Sequence, residues 1–467
     1  MSDASEPRAA TIERYGIEPV PAHLRTVRWQ DLFCILINFQ LNPGQILVAG
    51  MSVAAGLPVW AAILAQTGGT LLAFLAYVVM ATIGVDHGVP GQVAARMAFG
   101  IRGAKLLPSV LRTVASVYWF AFQTVAGSLA IVAVLDRWTG TAHSLLVISL
   151  VFGFLQALVA VVGYGSLKIL SRIALPLKLV ILGWVLWSFV VYPDPHFRPA
   201  AVFGYAGHGF QWLLFVTWLN TATSTWLTMI TDAADFCRYS RSRRDMWIGT
   251  LAASGVGAAV VGTIGAYAAG ATEGHLDNAF ALMAQISPTP LSFCLLLLVI
   301  VFDNWTINVL NLYTGGLSLL NVFERIGRFG ATVAVSILGI ALSSFPSLAQ
   351  GYTGWLILLG TAFSPVAGIL LADYLLLKRL RPDVPALLQP HGRYWYAGGV
   401  NPAAMLWTAI GVALSLWIVP ASMPVPVIVL LLSGGGYFVT MRLWARRSGA
   451  MAAAIAPVAA GTSVRVA

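Results

Sequence analysis

Asp303-Asn304-Trp305-Thr306-Ile307-Asn308-Val309-Leu310-Asn311 is the most polar run inside an apolar segment of this sequence. Asn304, Asn308 and Asn311 fall at i, i+4 and i+7, so a helix carries them on one stripe, with Asp303 and Thr306 on the neighbouring face. A single asparagine there would read as helix–helix glue; three in register argue for a polar lining. An ionisable residue buried in a membrane is costly and is by default a functional-site candidate. Asp303 could carry a proton, or stay charged and hold a sodium ion with Thr306, since hard cations prefer oxygen ligands. A silent structural acceptor is the third reading.

Tyr118-Trp119-Phe120-Ala121-Phe122-Gln123 offers a second kind of chemistry. Trp119 and Gln123 are four apart and share a helix face. An indole beside a carboxamide makes a floor for a flat, hydrogen-bonding ring: the indole stacks, and the amide reads a donor–acceptor edge. For Gln123 the plainer alternative is an interhelical hydrogen bond.

Two stretches look like interrupted membrane helices. Asn38 and Asn42-Pro43-Gly44-Gln45 fall near the middle of the first apolar run. Proline removes a backbone donor there and glycine loosens the turn. Trp218–Arg244 passes through Thr221–Thr225 (TATST) and Trp226, then through Asp232 and Asp235, and ends in Arg238, Arg241, Arg243 and Arg244. A polar run at mid-depth needs protein or a wet cavity beside it. Thr221–Thr225 is therefore read as the second interruption, against the alternative that the threonines bond back to the preceding turn. Paired discontinuous helices in an inverted repeat bind substrate at mid-membrane. With five helices per repeat, the first segment corresponds to the sixth, and these are the two that break.

The elements that must position these residues follow from composition. Of 467 residues, 58% are hydrophobic and 9% charged, and mean hydropathy is +0.82. A soluble domain carries about 25% charged residues. The chain is therefore all-α and integral to a membrane, with apolar runs near the length of a spanning helix. Twelve segments are predicted, at 31–53, 59–84, 105–134, 143–163, 168–192, 208–230, 246–270, 290–321, 329–345, 350–376, 402–420 and 423–443. Met1–Gln30 is a polar tail without the apolar core of a signal peptide, and 444–467 is the second tail. The segments group as a first five-helix repeat at 31–192, a second at 208–376 and two additional helices at 402–443.

With the N-terminus inside, Arg96, Arg102, Lys105, Lys168, Arg172, Arg238 to Arg244, Arg325, Arg328, Lys378 to Arg381 and Arg442 to Arg447 fall on inner segments. Arg137 and Arg198 fall outside. This bias sets both termini in the cytoplasm and the chain in the cell membrane. The net charge of +10 sits at helix ends, with no basic stripe for nucleic acid. Cys34, Cys237 and Cys294 give neither a disulfide framework nor a metal spacing. Paired carboxylates with a base and nucleophile motifs are missing, which argues against an enzyme. Channel filter rings are missing too, which argues against a channel or facilitator.

The sequence resembles the nucleobase:cation symporter-1 family of cytosine, purine–cytosine, allantoin and hydantoin permeases. The likeness rests on PGQVAARMAFGIRG (Pro90–Gly103), YWFAFQTVAGSLA (Tyr118–Ala130), ADFCRYSRS (Ala234–Ser242), NLYTGGLSLLN (Asn311–Asn321), SPVAGILLADYLLLKR (Ser364–Arg379) and YWYAGGVNPAA (Tyr394–Ala404). It implies the leucine-transporter fold: a five-plus-five inverted repeat with two extra helices. It implies that substrate lies between Trp119 and Trp226, read by Gln123 and by Asn311, with Asn308 as the alternative. The candidate coupling residues, read from the chain itself, are Asp303, Thr306 and Asn42. The family's sodium site uses two adjacent hydroxyls where this chain has only Thr306, flanked by Trp305 and Ile307. No metal ligand set is certain; a sodium ion near Thr306 and a proton are the two candidates, and no resident cofactor is expected. The expected activity is secondary active uptake of a planar nucleobase, cytosine or purine type, by cation symport, with hydantoin or allantoin as the alternative substrates.

Overall fold

The computed structural model describes residues 15–160, 164–345, 347 and 351–458. The predicted helix ends at 161–163 and 350, and tail residues 1–14 and 459–467, lie outside the described residues. The principal helices are α1 (Trp29–Gln40), α2 (Pro43–Ala54), α3 (Val59–His87), α4 (Ile101–Thr139) and α5 (Leu145–Ala160). They continue as α6 (Tyr164–Val191), α7 (Trp212–Leu227), α8 (Ala233–Cys237), α9 (Arg243–Ala271) and α10 (Ala279–Ile286). The last five are α11 (Pro290–Val322), α12 (Gly327–Leu342), α13 (Tyr352–Leu371), α14 (Pro402–Ile418) and α15 (Val425–Arg447). Among the described residues, 8 helices are long and apolar enough to cross a membrane, and the bent pair α1–α2 makes 9. Twelve spans need α5, α7 and α14 as well, which are shorter.

The first apolar segment breaks where its sequence demands it. α1 and α2 are bent by 51° across Leu41–Asn42. Pro43 has no N–H with which to continue the ladder and is well suited to the first position of a new helix. Asn42 caps that helix, its Oδ1 accepting from Gln45 N at 3.0 Å.

The sixth segment breaks later than predicted. α7 stays helical through Thr221–Thr225. Thr221, Thr223 and Thr225 each donate at 2.8 Å to the carbonyl four residues back, on Thr217, Leu219 and Thr221. Back-bonding satisfies these hydroxyls without opening the helix. The chain unwinds instead at Thr228–Asp232 and resumes as α8.

Two packed groups result. α1, α2, α3, α7 and α9 pack on one another, while α4, α5, α11 and α12 form the second group, and α6 touches both through α1 and α11. Glycine makes the closest approaches possible: a Cβ on Gly265 of α9 would collide with the Ile46 carbonyl oxygen, and one on Gly257 with the Gln40 side chain. The surface is apolar, with Leu64, Val151, Phe154, Val180, Trp187, Ile337 and Trp417 exposed. Arg112, Lys178, Asp303, Asn304 and Asn308 are buried. That inversion is what a lipid solvent selects.

A candidate substrate cavity between two broken helices

The two breaks face each other across a cavity of about 380 Å³. Asn42 and Gln45 reach it from the first break, and Thr225, Trp226, Thr228 and Met229 from the second. α4 supplies Arg112, Trp119 and Gln123, and α11 supplies Ile307, Leu310 and Asn311. Trp119, Gln123, Trp226 and Asn311, the four expected substrate contacts, thus line one space.

The indoles are fixed by their own neighbours. Trp119 meets Tyr118 and Phe122 edge-on, with ring centroids 5.6 and 5.9 Å away. Trp226 packs against Phe74 of α3 at 5.6 Å. Gln123 donates through Nε2 to Asn42 Oδ1 at 3.4 Å. Its Oε1 and the Trp226 Nε1 are buried with no hydrogen-bond partner among the described residues. Buried polar atoms of this kind are costly until something pairs with them.

Asn308 and Asn311 separate by role. Asn308 is not among the cavity-lining residues. Its amide nitrogen lies 3.2 Å from Phe120 O, 3.0 Å from Thr124 Oγ1 and 2.6 Å from Gln156 Oε1, tying α11 to α4 and α5. It also accepts from Asn311 Nδ2 at 3.2 Å, which orients Asn311 toward the cavity. Asn304 packs against Gly127 of α4.

Of the expected coupling residues, Asp303 and Thr306 share Lys178 as a neighbour, while Asn42 lies at the cavity. Asn42 caps α2 and faces the cavity, because its short carboxamide is held by Gln45 N, Phe39 O and Gln123. Asp303 is not an isolated carboxylate: Lys178 Nζ of α6 is 2.6 Å from its Oδ1. The same ammonium donates to Thr306 Oγ1 at 3.0 Å and to Asn38 O at 3.2 Å. No cluster of His, Cys, Asp and Glu able to hold a metal occurs among the described residues.

Sequence reasoning missed three participants. Arg112 precedes Trp119 by seven residues, two helical turns along the same face, and that spacing was the available signal. Its guanidinium lies 3.1 Å from Asp232 Oδ2 and donates to Thr314 Oγ1 at 2.9 Å and Thr228 O at 3.2 Å, so it braces the second break. Gln45 was read only as part of the break; Gln66 Nε2 holds its Oε1 at 2.7 Å. Lys178 stands in the apolar run Ala174-Leu175-Pro176-Leu177-Lys178-Leu179, where a lone charge is itself the signal.

The unwound stretch and α8 dock on the Pro90–Gly103 segment. Gly91 N donates to Asp235 Oδ1 at 2.6 Å, and Gln92 Nε2 to Thr231 O at 3.2 Å. Arg238 reaches Gly16 O at 2.9 Å and Tyr313 Oη at 3.1 Å. The sequence motifs around Pro90 and Ala234 therefore meet in space and hold the second break in place.

A family profile described as permease for cytosine/purines, uracil, thiamine, allantoin matches residues 19–440. The chain is 26% identical to the purine-uracil permease of Arabidopsis thaliana over 85% of this chain and 69% of that protein. It is 26% identical to the hydantoin permease of Microbacterium maritypicum, covering 79% and 77%. It is 28% identical to the cytosine permease of Escherichia coli strain K12, covering 76% and 77%. Its fold matches that of Mhp1, a nucleobase-cation-symport-1 family transporter in a closed conformation with bromovinylhydantoin bound. The TM-score is 0.79 and identity 23%, over 95% of this chain and 99% of that one. A sodium-coupled sialic acid symporter shares the fold more distantly, with a TM-score of 0.60 and 12% identity over 89% and 90%. The relatives are permeases and not enzymes, and the chain belongs to the nucleobase:cation symporter-1 family, the permeases for cytosine/purines, uracil, thiamine and allantoin.

Proposed function

We propose that the protein takes up a nucleobase of the cytosine or purine type by cation symport through alternating access. One observation carries this reading: two indoles and the carboxamides of Asn42, Gln45, Gln123 and Asn311 converge on one cavity between two helix breaks. Trp119 and Trp226 stack on the ring, and Gln123 and Asn311 read its polar edge. The unpaired Gln123 Oε1 favours a ligand that presents a hydrogen-bond donor at its edge. The cytosine and purine-uracil permease relatives support the nucleobase class.

The two packed groups of helices rock about the breaks, exposing the cavity to one side and then the other. The chain lies in the cell membrane with twelve spans, residues 31–192 and 208–376 forming the inverted repeats and 402–443 the additional helices. Both termini face the cytoplasm, a reading the Lys and Arg distribution supports.

The test is a titration of purified protein with cytosine, adenine, uracil, hydantoin and allantoin, followed by tryptophan fluorescence. A nucleobase is expected to bind tightest, with its signal reduced in Trp226→Ala. Binding of hydantoin or allantoin in preference to every nucleobase would overturn the substrate class.

A further inference from the structure

Lys178 lies outside the substrate cavity, fully buried in α6. Its ammonium has three oxygen neighbours, one as an ion pair and two as hydrogen bonds. They are Asp303 Oδ1 at 2.6 Å, Thr306 Oγ1 at 3.0 Å and Asn38 O at 3.2 Å. A carboxylate, a hydroxyl and a backbone carbonyl together are the donor set of a hard cation. Asn38 belongs to the last turn of α1, where carbonyls lose their helical partners and carry the negative end of the helix dipole. Such half-helix ends are where transporters of this architecture hold a coupling ion. The position is therefore built for a cation, and a side chain fills it.

Among the described residues, no other charged side chain is paired with Asp303 or Lys178. Asp31 of α1, nearer the start of α6, is paired with Arg172. Within the cage, one carboxylate faces one ammonium, and the charge is balanced.

We propose that Lys178 is a tethered stand-in for the coupling metal ion, so that substrate binding needs no sodium and a sodium gradient does not drive uptake. This rests on the transporter reading above. The ammonium links α1, α6 and α11, bridging the broken helix and the asparagine-bearing helix as a bound ion would. A sodium ion entering the cage would have to share the same three oxygens with an ammonium already bonded to them. Removing the lysine side chain exposes the cage and converts the protein to one that responds to sodium.

The experiment needs no substrate for its first arm. Melting of the purified full-length protein in detergent is compared in sodium chloride and choline chloride at equal ionic strength. Wild type is expected to melt at the same temperature in both. Lys178→Ala is expected to melt higher in sodium than in choline, and Lys178→Ala/Asp303→Asn to lose that difference. A purely structural ion pair would give Lys178→Ala a lower melting temperature with no preference between the salts, and that result overturns the proposal. Sodium-specific stabilisation of wild type overturns it as well, and wild type decides alone should Lys178→Ala not fold. In the second arm, wild-type substrate affinity is expected to be unchanged between the salts. Binding that requires sodium overturns the proposal, whereas binding of no nucleobase in either salt counts against the substrate reading and leaves the melting result to decide this one.

Discussion

The Gln123 Nε2 that faces the substrate cavity donates, at 3.4 Å, to the same Asn42 Oδ1 that caps α2 by accepting from Gln45 N at 3.0 Å. One oxygen therefore serves both the reading amide of α4 and the restart of the broken first helix. A ligand that recruits the Gln123 amide competes with that bond and acts on the break. On the proposed function, substrate at Gln123 would touch both packed groups of helices through this one oxygen.

Stacking is tested at Trp226. Base–aromatic stacking is worth about 1–3 kcal/mol per base. Trp226→Ala is expected to weaken nucleobase binding about tenfold or more, and Trp226→Phe to do less. Wild-type affinity in a folded Trp226→Ala protein would remove the indole from the site.

Reading of the edge is tested at Gln123. A site built to pair a polar edge rejects ligands that leave it unpaired. Gln123→Leu is expected to reorder preference among cytosine, uracil and purines as well as to lower affinity. A uniform loss across all rings would mark Gln123 as structural.

Asn308 and Asn311 are expected to fail differently. Asn308→Ala breaks the link to Phe120, Thr124 and Gln156, and interhelical bonds of this kind average about 0.6 kcal/mol with a maximum near 1.7. Its main effect is a lower melting temperature. Asn311→Ala is expected to lower ligand affinity with little change in melting. The reverse pattern would exchange the two assignments.

The first break could be read from sequence because Pro43 has no N–H to continue the helix, Gly44 loosens the turn and Asn42 can cap the restart. The second could not be placed, because a threonine in a helix has two ways to satisfy its hydroxyl. At Thr221, Thr223 and Thr225 the local one prevails, and the unwinding falls at Thr228–Asp232, where Arg112 and Asp232 brace it across helices. Trp119 with Gln123 was legible because four-residue spacing alone puts both on one face. The partner of Asp303 was not, since Lys178 is 125 positions earlier and only the packing of α6 on α11 brings them together. On this account Thr223→Val should cost about 1 kcal/mol or less and leave binding near wild type, as checked by melting and fluorescence titration.

The Asp303–Lys178 pair makes a separate stability prediction. Removing one partner of a buried ion pair costs about 3–5 kcal/mol, because the other charge is left uncompensated. Asp303→Asn should therefore melt far below wild type, and Asp303→Asn/Lys178→Met should recover much of the loss. A double variant no more stable than Asp303→Asn would show that the charges do not act as a pair.

The most direct measurement is accumulation of labelled nucleobase in proteoliposomes, with the proton and sodium gradients imposed separately. The account predicts that wild type concentrates unmodified cytosine or purine above the outside level under a proton gradient, that an ionophore collapses the accumulation, and that Trp226→Ala loses it. A nucleobase that only equilibrates under every gradient, or that accumulates under sodium alone at equal pH, would contradict it.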